Sequence, residues 1–176
     1  MDELDVEVEA RQLLNEAARL LAQRRPGEAA ERLERARELA PNVERLAVAI
    51  NLGGAYIMQR RYRQAVPILE EAAKRAPNNA MVWVNLAAAY LGDLSHSTQE
   101  MQDRAIAAYE EALRVDPLAA NVNYNLGLIY KERGETTRAA AHFWRALEVN
   151  PQDEDARTWL RRLGVNMESA TEDDEK

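Results

Sequence analysis

The sequence predicts an all-α fold: a right-handed solenoid of about four antiparallel helix-pair repeats plus a C-terminal capping helix. Three observations predict it. Pro41, Pro77, Pro117 and Pro151 punctuate the chain at intervals of 36, 40 and 34 residues, and two of them close near-identical runs, LRVDP (113–117) and LEVNP (147–151). Alanine stands five residues before each proline (Ala36, Ala72, Ala112, Ala146) and twelve before it (Ala29, Ala65, Ala105, Ala139). Strand-like alternation is absent, and the 176 residues include only seven Gly and one Phe.

The elements follow in order. The first pair is expected near Val6–Gln23 and Gly27–Ala40, with Arg24, Arg25 and Pro26 turning the chain between them. The second is expected near Val43–Gln59 and Arg63–Arg75, with Pro67 in the first turn, where a missing amide costs least. The third opens with Ala80–Leu91. Six extra residues, 92–97, then separate its helices. Ser97 followed by Glu100 reads as a capping box, so the next helix should start near Thr98 and protrude by about a turn and a half. The fourth pair is expected at Ala119–Glu132 and Glu135–Val149. A last helix, Gln152–Leu163, puts Ala156, Trp159, Leu160 and Leu163 on one stripe, and Gly164 stops it.

The interior of the period is patterned too. Eight residues before the prolines stand Leu33, Leu69, Tyr109 and Phe143, and the first helices carry Leu20, Tyr56, Tyr90 and Tyr130. Three residues before these stand Ala17, Gly53, Ala87 and Gly127. Small residues let paired helices approach to about 8–10 Å while the larger side chains fill the adjacent holes.

The third segment reads Trp83-x2-Leu86-Ala87-x2-Tyr90…Ala105-x3-Tyr109…Pro117. The fourth reads Leu126-Gly127-x2-Tyr130…Ala139-x3-Phe143…Pro151. This pattern closely resembles the tetratricopeptide repeat over roughly residues 10–151. In the first segment Glu16 takes the usual leucine slot and Leu13 the tryptophan slot, an altered face of the kind a terminal repeat needs. The expected layout is one solenoid over 1–167. Its repeats run roughly 10–43, 46–79, 80–119 and 120–153, its capping helix covers 152–163, and 168–176 form an acidic disordered tail.

The resemblance implies that the first helix of each repeat lines a concave groove. Asparagine precedes the leucine slot in all four repeats: Asn15, Asn51, Asn85 and Asn125. An asparagine amide offers both an acceptor and donors, so such a row can pair with an extended peptide backbone; it can also brace neighbouring helices. The flanking slots that usually contact ligand in the family are mainly apolar: Leu14, Ile50, Val84 and Tyr124; Ala18, Gly54, Ala88 and Leu128; Leu21, Ile57 and Leu91, with Lys131 the polar exception in the fourth repeat. An exposed apolar strip marks a contact surface. The expected partner is therefore an apolar or amphipathic peptide segment of another protein. The alternatives are self-association into a homo-oligomeric scaffold through this groove or the stack ends, and a small secretion or assembly chaperone with one client. Members of the family that grip acidic chaperone tails use a basic clamp; Ala47 and Met81 sit where its cations would stand, and Arg11 alone does not restore it.

Other classes are disfavoured. There is no cysteine, and the two histidines, His96 in the inserted loop and His142 on a second helix, form no visible zinc pair or triad. No enzyme activity, cofactor or metal is expected. The net charge of −7 sits at the two ends: residues 1–9 hold five acids, and residues 168–176 hold five acids and one lysine. No basic stripe with interleaved aromatics suggests nucleic-acid binding. The longest apolar stretch, Leu46–Met58, is interrupted by Asn51 and too short to span a bilayer. With an acidic start in place of a secretory signal, a soluble cytoplasmic protein is expected.

Overall fold

A computed structural model of the chain describes residues 3–39 and 44–165. Pro41 and the acidic run 168–176 lie outside the described residues. Among those described there are nine α-helices and no strand, an all-α helical-repeat solenoid. They are α1 (Glu3–Ala22), α2 (Pro26–Leu39), α3 (Arg45–Met58), α4 (Tyr62–Arg75), α5 (Ala80–Leu91), α6 (Gln99–Val115), α7 (Val122–Glu132), α8 (Thr136–Val149) and α9 (Glu154–Arg162). Two compact units meet in sequence between Val115 and Asp116, the first holding α1–α6 and the second α7–α9.

The alanine slots mark the helix crossings. Ala29, Ala65, Ala105 and Ala139 are all fully buried, as are Leu33, Leu69 and Phe143. Gly53 and Gly127 are required by close approach. A methyl on Gly53 would lie 2.6 Å from Leu69, and one on Gly127 2.7 Å from Phe143.

Three hairpins share one turn. Arg24, Arg60 and Gly134 take positive φ (56°, 60° and 74°) at equivalent places. After each, an amide reaches back five residues to the tyrosine-slot carbonyl: Arg25 to Leu20, Arg61 to Tyr56 and Glu135 to Tyr130, at 2.8–2.9 Å. This is the Schellman closure of a helix C-terminus. Gly164 (φ 74°) closes α9 the same way, with Val165 N–H donating to Leu160 at 3.1 Å.

The structure corrects four expectations. Helix α7 begins at Val122 instead of Ala119, because Asn121 turns left-handed (φ 62°) and breaks the helical run. Pro67 is not in the first turn: α4 starts at Tyr62, so the proline sits in the second turn and removes one interior hydrogen bond on an exposed face. The inserted segment does not lengthen α6 by a turn and a half; α6 has 17 residues against 14 in α4. Leu94–His96 instead form a 3-10 turn, folded down by Ser97, which donates to the Leu94 carbonyl (2.8 Å) and accepts from buried Gln102 (2.9 Å). The capping side chain of α6 is Thr98, not Ser97: Met101 N–H donates to the Thr98 hydroxyl at 3.3 Å. Arg60 pairs with Asp93, tying the segment to the α3–α4 turn.

Candidate peptide-binding face

In the first unit, the asparagines fall on α1, α3 and α5. Asn85 reaches from α5 to α3, its Nδ2 donating to the Ile50 carbonyl at 3.4 Å. That is the bracing role. Gly54 leaves room for it, since a methyl there would lie 4.0 Å from the same nitrogen. Asn15 is exposed and Asn51 half-buried; neither side chain makes a hydrogen bond among the described residues. Their amides remain unspent.

The apolar flanks are half-buried. Leu14, Leu21, Ile50 and Ile57 pack against the core of the first unit. Val84, Leu91, Gly54 and Ala88 are also half-buried, and Ala18 is exposed. The more exposed large apolar residues are Leu4, Val8, Met58, Met81 and Leu118, and at helical spacing Val8, Met58 and Met81 fall on the same side of their helices as Asn15, Asn51 and Asn85. The strip therefore presents edges of core side chains, with Ala18, Gly54 and Ala88 keeping its middle shallow.

In the second unit, Tyr124, Asn125 and Leu128 are half-buried on α7. The Tyr124 ring lies 5.7 Å from Phe143, so its body belongs to the helix crossing. The Asn125 side chain makes no hydrogen bond among the described residues. Lys131 sits over the Trp159 ring at 4.7 Å.

Two features escaped the sequence reading. Glu70 accepts from the Tyr90 hydroxyl (2.7 Å) and from Arg104 (3.0 Å), whose guanidinium lies 3.9 Å over the Tyr90 ring. Glu34 accepts from Tyr56 in the matching place one repeat earlier. Burial, then these carboxylate bonds, push both tyrosines above the usual phenol range. The signal was present in the recurrence of Glu34 and Glu70 seven residues before Pro41 and Pro77. Asn123 was missed because a buried asparagine leaves no periodic trace; its Oδ1 lies 3.1 Å from His142 Nδ1. Burial, and then Arg145, depress His142 to about 4. The other histidine forms an exposed cluster in which both Ser95 (3.1 Å) and Asp93 (3.3 Å) contact the same ring nitrogen of His96. A serine–histidine–aspartate relay needs the two partners on opposite nitrogens, so this cluster is a turn device.

Helix pairs, crossing alanines and shared turns recur at one period. Models of the tetratricopeptide repeat match residues 20–90 and 102–154. The chain belongs to the tetratricopeptide repeat family. A thermophilic tetratricopeptide protein of Thermus thermophilus superposes with a TM-score of 0.73 at 22% identity, covering 88% of this chain and 80% of that one. MamA of Desulfovibrio magneticus gives 0.69 at 23% identity, covering 82% and 77%. In sequence, the chain is 28% identical over 102 residues to anaphase-promoting complex subunit 3 of Schizosaccharomyces pombe. That match spans 58% of the chain but only 14% of the relative's length. Tetratricopeptide repeats are protein–protein interaction modules, and that is the class of this chain; the family is generally a non-catalytic scaffold. No described helix is long and apolar enough to cross a membrane.

Proposed function

We propose that the chain binds an apolar or amphipathic segment of another protein on the face carrying Asn15, Asn51 and Asn85. Asn125, with Tyr124 and Leu128, repeats the pattern on α7 in the second unit. One observation carries the reading: Asn15 and Asn51 hold unspent amides directly beside half-buried Leu14 and Ile50. The amides supply main-chain pairing, and the apolar edges supply burial worth about 25 cal/mol per Å² before association costs. Asn85 contributes by holding α5 against α3.

The test is a peptide selected on the wild-type protein from a random display library, then titrated against variants. Ile50→Asp with Val84→Asp should abolish binding. Asn15→Ala with Asn51→Ala should weaken it by about tenfold, the loss of one to two hydrogen bonds of ~1 kcal/mol each. Unchanged affinity in both, with helix content intact, would move the site elsewhere.

A second reading rests on α1, where Leu4 and Val8 stand 67% and 46% exposed, one turn apart. This unpartnered face suits contact between copies at the end of the repeat array. Sedimentation of wild type and of Leu4→Glu/Val8→Glu across concentration would reveal it as an association that the variant loses.

A further inference from the structure

A cavity of about 460 Å³ opens between the first two turns of α3 and the second half of α4, with Arg37 of α2 at its edge. Its floor is the core of the first unit: Val48, Leu52 and Ala72 are buried, and Leu46, Ala49 and Ile68 pack against them. Its volume is that of a ligand pocket.

The repeat explains why it is open. Ala49 stands seven residues before Tyr56. In the next repeat, Trp83 stands seven before Tyr90, packs against the same core and donates Nε1–H to the Pro77 carbonyl at 2.8 Å. Leu13 and Asn123 take this slot on α1 and α7, and both are buried. The matching cleft beside Asn123 measures about 90 Å³. Only at Ala49 is the slot reduced to a methyl with a cavity floored by core side chains beside it; the hollow of about 540 Å³ beside Leu13 on α1 is open and lined also by Asp5, Glu9, Gln12 and Glu16.

The rim is cationic. Arg37, Arg45 and Arg75 line it with one carboxylate, Glu71, which Arg75 holds at 2.7 Å. Arg37 and Arg45 form no ion pair among the described residues. Arg45 also opens α3, where the helix dipole adds to the positive potential.

We propose that this cavity is a socket for an aromatic side chain of a partner protein, set between acidic neighbours. The aromatic ring takes the volume that Trp83 fills in the following repeat, and carboxylates on either side meet Arg37 and Arg45. Guanidinium groups also stack favourably on a ring. The socket is separate from the peptide face above. Arg45, Val48, Ala49 and Leu52 share one side of α3, whereas Ile50, Gly54 and Ile57 share another, as the 3.6-residue repeat dictates.

Calorimetric titration tests it with a blocked pentapeptide carrying tryptophan between two pairs of glutamates, against peptides with a central alanine or with lysine flanks. The tryptophan–glutamate peptide should bind saturably and both controls should not. Ala49→Trp should weaken binding by at least about tenfold, since it refills the socket with a side chain whose burial is worth more than that factor. Ala49→Met, an adaptable filler, serves if the indole disturbs folding, with helix content measured for both. Arg37→Gln/Arg45→Gln should weaken binding several-fold and flatten its salt dependence. Ile50→Asp should leave it unchanged, which separates this site from the peptide face. No binding to wild type, equal binding to the filled variants, or equal binding of the lysine-flanked peptide would overturn the proposal. So would a wild-type dimer that either filled variant abolishes, which would assign the socket to a second copy of the chain.

Discussion

The α3–α4 and α7–α8 hairpins are built on one template and differ in chemistry at the slot seven residues before the tyrosine. In both, a first-helix glycine meets a large second-helix side chain: Gly53 against Leu69, and Gly127 against Phe143. In both, the crossing alanine, Ala65 or Ala139, is fully buried. Seven residues before the tyrosine, α3 places Ala49 over an apolar cavity, whereas α7 places Asn123, bonded to His142. The crossing is constrained because two backbones must approach there. The neighbouring slot is free to vary, and there the chemistry of each repeat differs. The crossings themselves should carry the largest stability effects. Phe143→Ala should cost about 3–5 kcal/mol, because the ring also packs on Tyr124 (5.7 Å) and Trp159 (6.3 Å). Leu69→Ala should fall nearer the lower end of its ~2–5 kcal/mol range, because a cavity already adjoins its helix. Urea unfolding of both variants checks the order, and a costlier Leu69→Ala would break the comparison.

The glycines sharpen it. Alanine ordinarily gains about 1 kcal/mol over glycine inside a helix. Against that, overpacking a filled core costs about 1–3 kcal/mol. At Gly127 the added methyl meets the flat, rigid ring of Phe143, so Gly127→Ala should be a net loss of about 1–2 kcal/mol. At Gly53 it meets the branched end of Leu69, which can change rotamer where a ring cannot, so Gly53→Ala should cost less than Gly127→Ala. Thermal midpoints distinguish them. Equal shifts would mean that the leucine yields no more than the ring.

This contrast also shows what the sequence made readable. The alanines at Ala29, Ala65, Ala105 and Ala139 announced the crossings because steric demand recurs at every repeat. Gly164 announced the end of α9 because few residues tolerate its positive φ. The start of α7 was not readable, because Asn121 adopts a left-handed conformation that asparagine permits but does not require. The socket beside Ala49 was hidden for another reason. A missing side chain looks in sequence like one more alanine among many, and only the packing around it shows that no described side chain takes its place. The asparagines at 15, 51, 85 and 125 were legible as a row but not in their roles: Asn85 alone spends its amide on a neighbouring helix.

The polar slot on α7 gives the last test. Asn123 is buried, and the His142 ring stacks on Tyr130 with centroids 5.3 Å apart. Asn123→Ala leaves the His142 Nδ1 without its partner and should cost about 1–3 kcal/mol, whereas Asn123→Leu with His142→Phe removes both polar groups and should cost much less. The pair also makes stability depend on pH. Burial holds folded His142 near 4, below the value of about 6.5 for the unfolded chain. Above pH ~6.5 the ring is neutral in both states and carries no penalty. As pH falls from there toward 4, the unfolded chain takes up a proton that the folded ring refuses, so stability declines through that window and levels below it. The double variant lacks the group and should lose less stability than wild type between pH 7 and pH 5, as read from urea midpoints at each pH. The apolar slot at Ala49 has no such titration, so Ala49→Leu should leave the wild-type pH slope unchanged; a slope that follows Ala49 instead of His142 would place the pH response in the wrong hairpin.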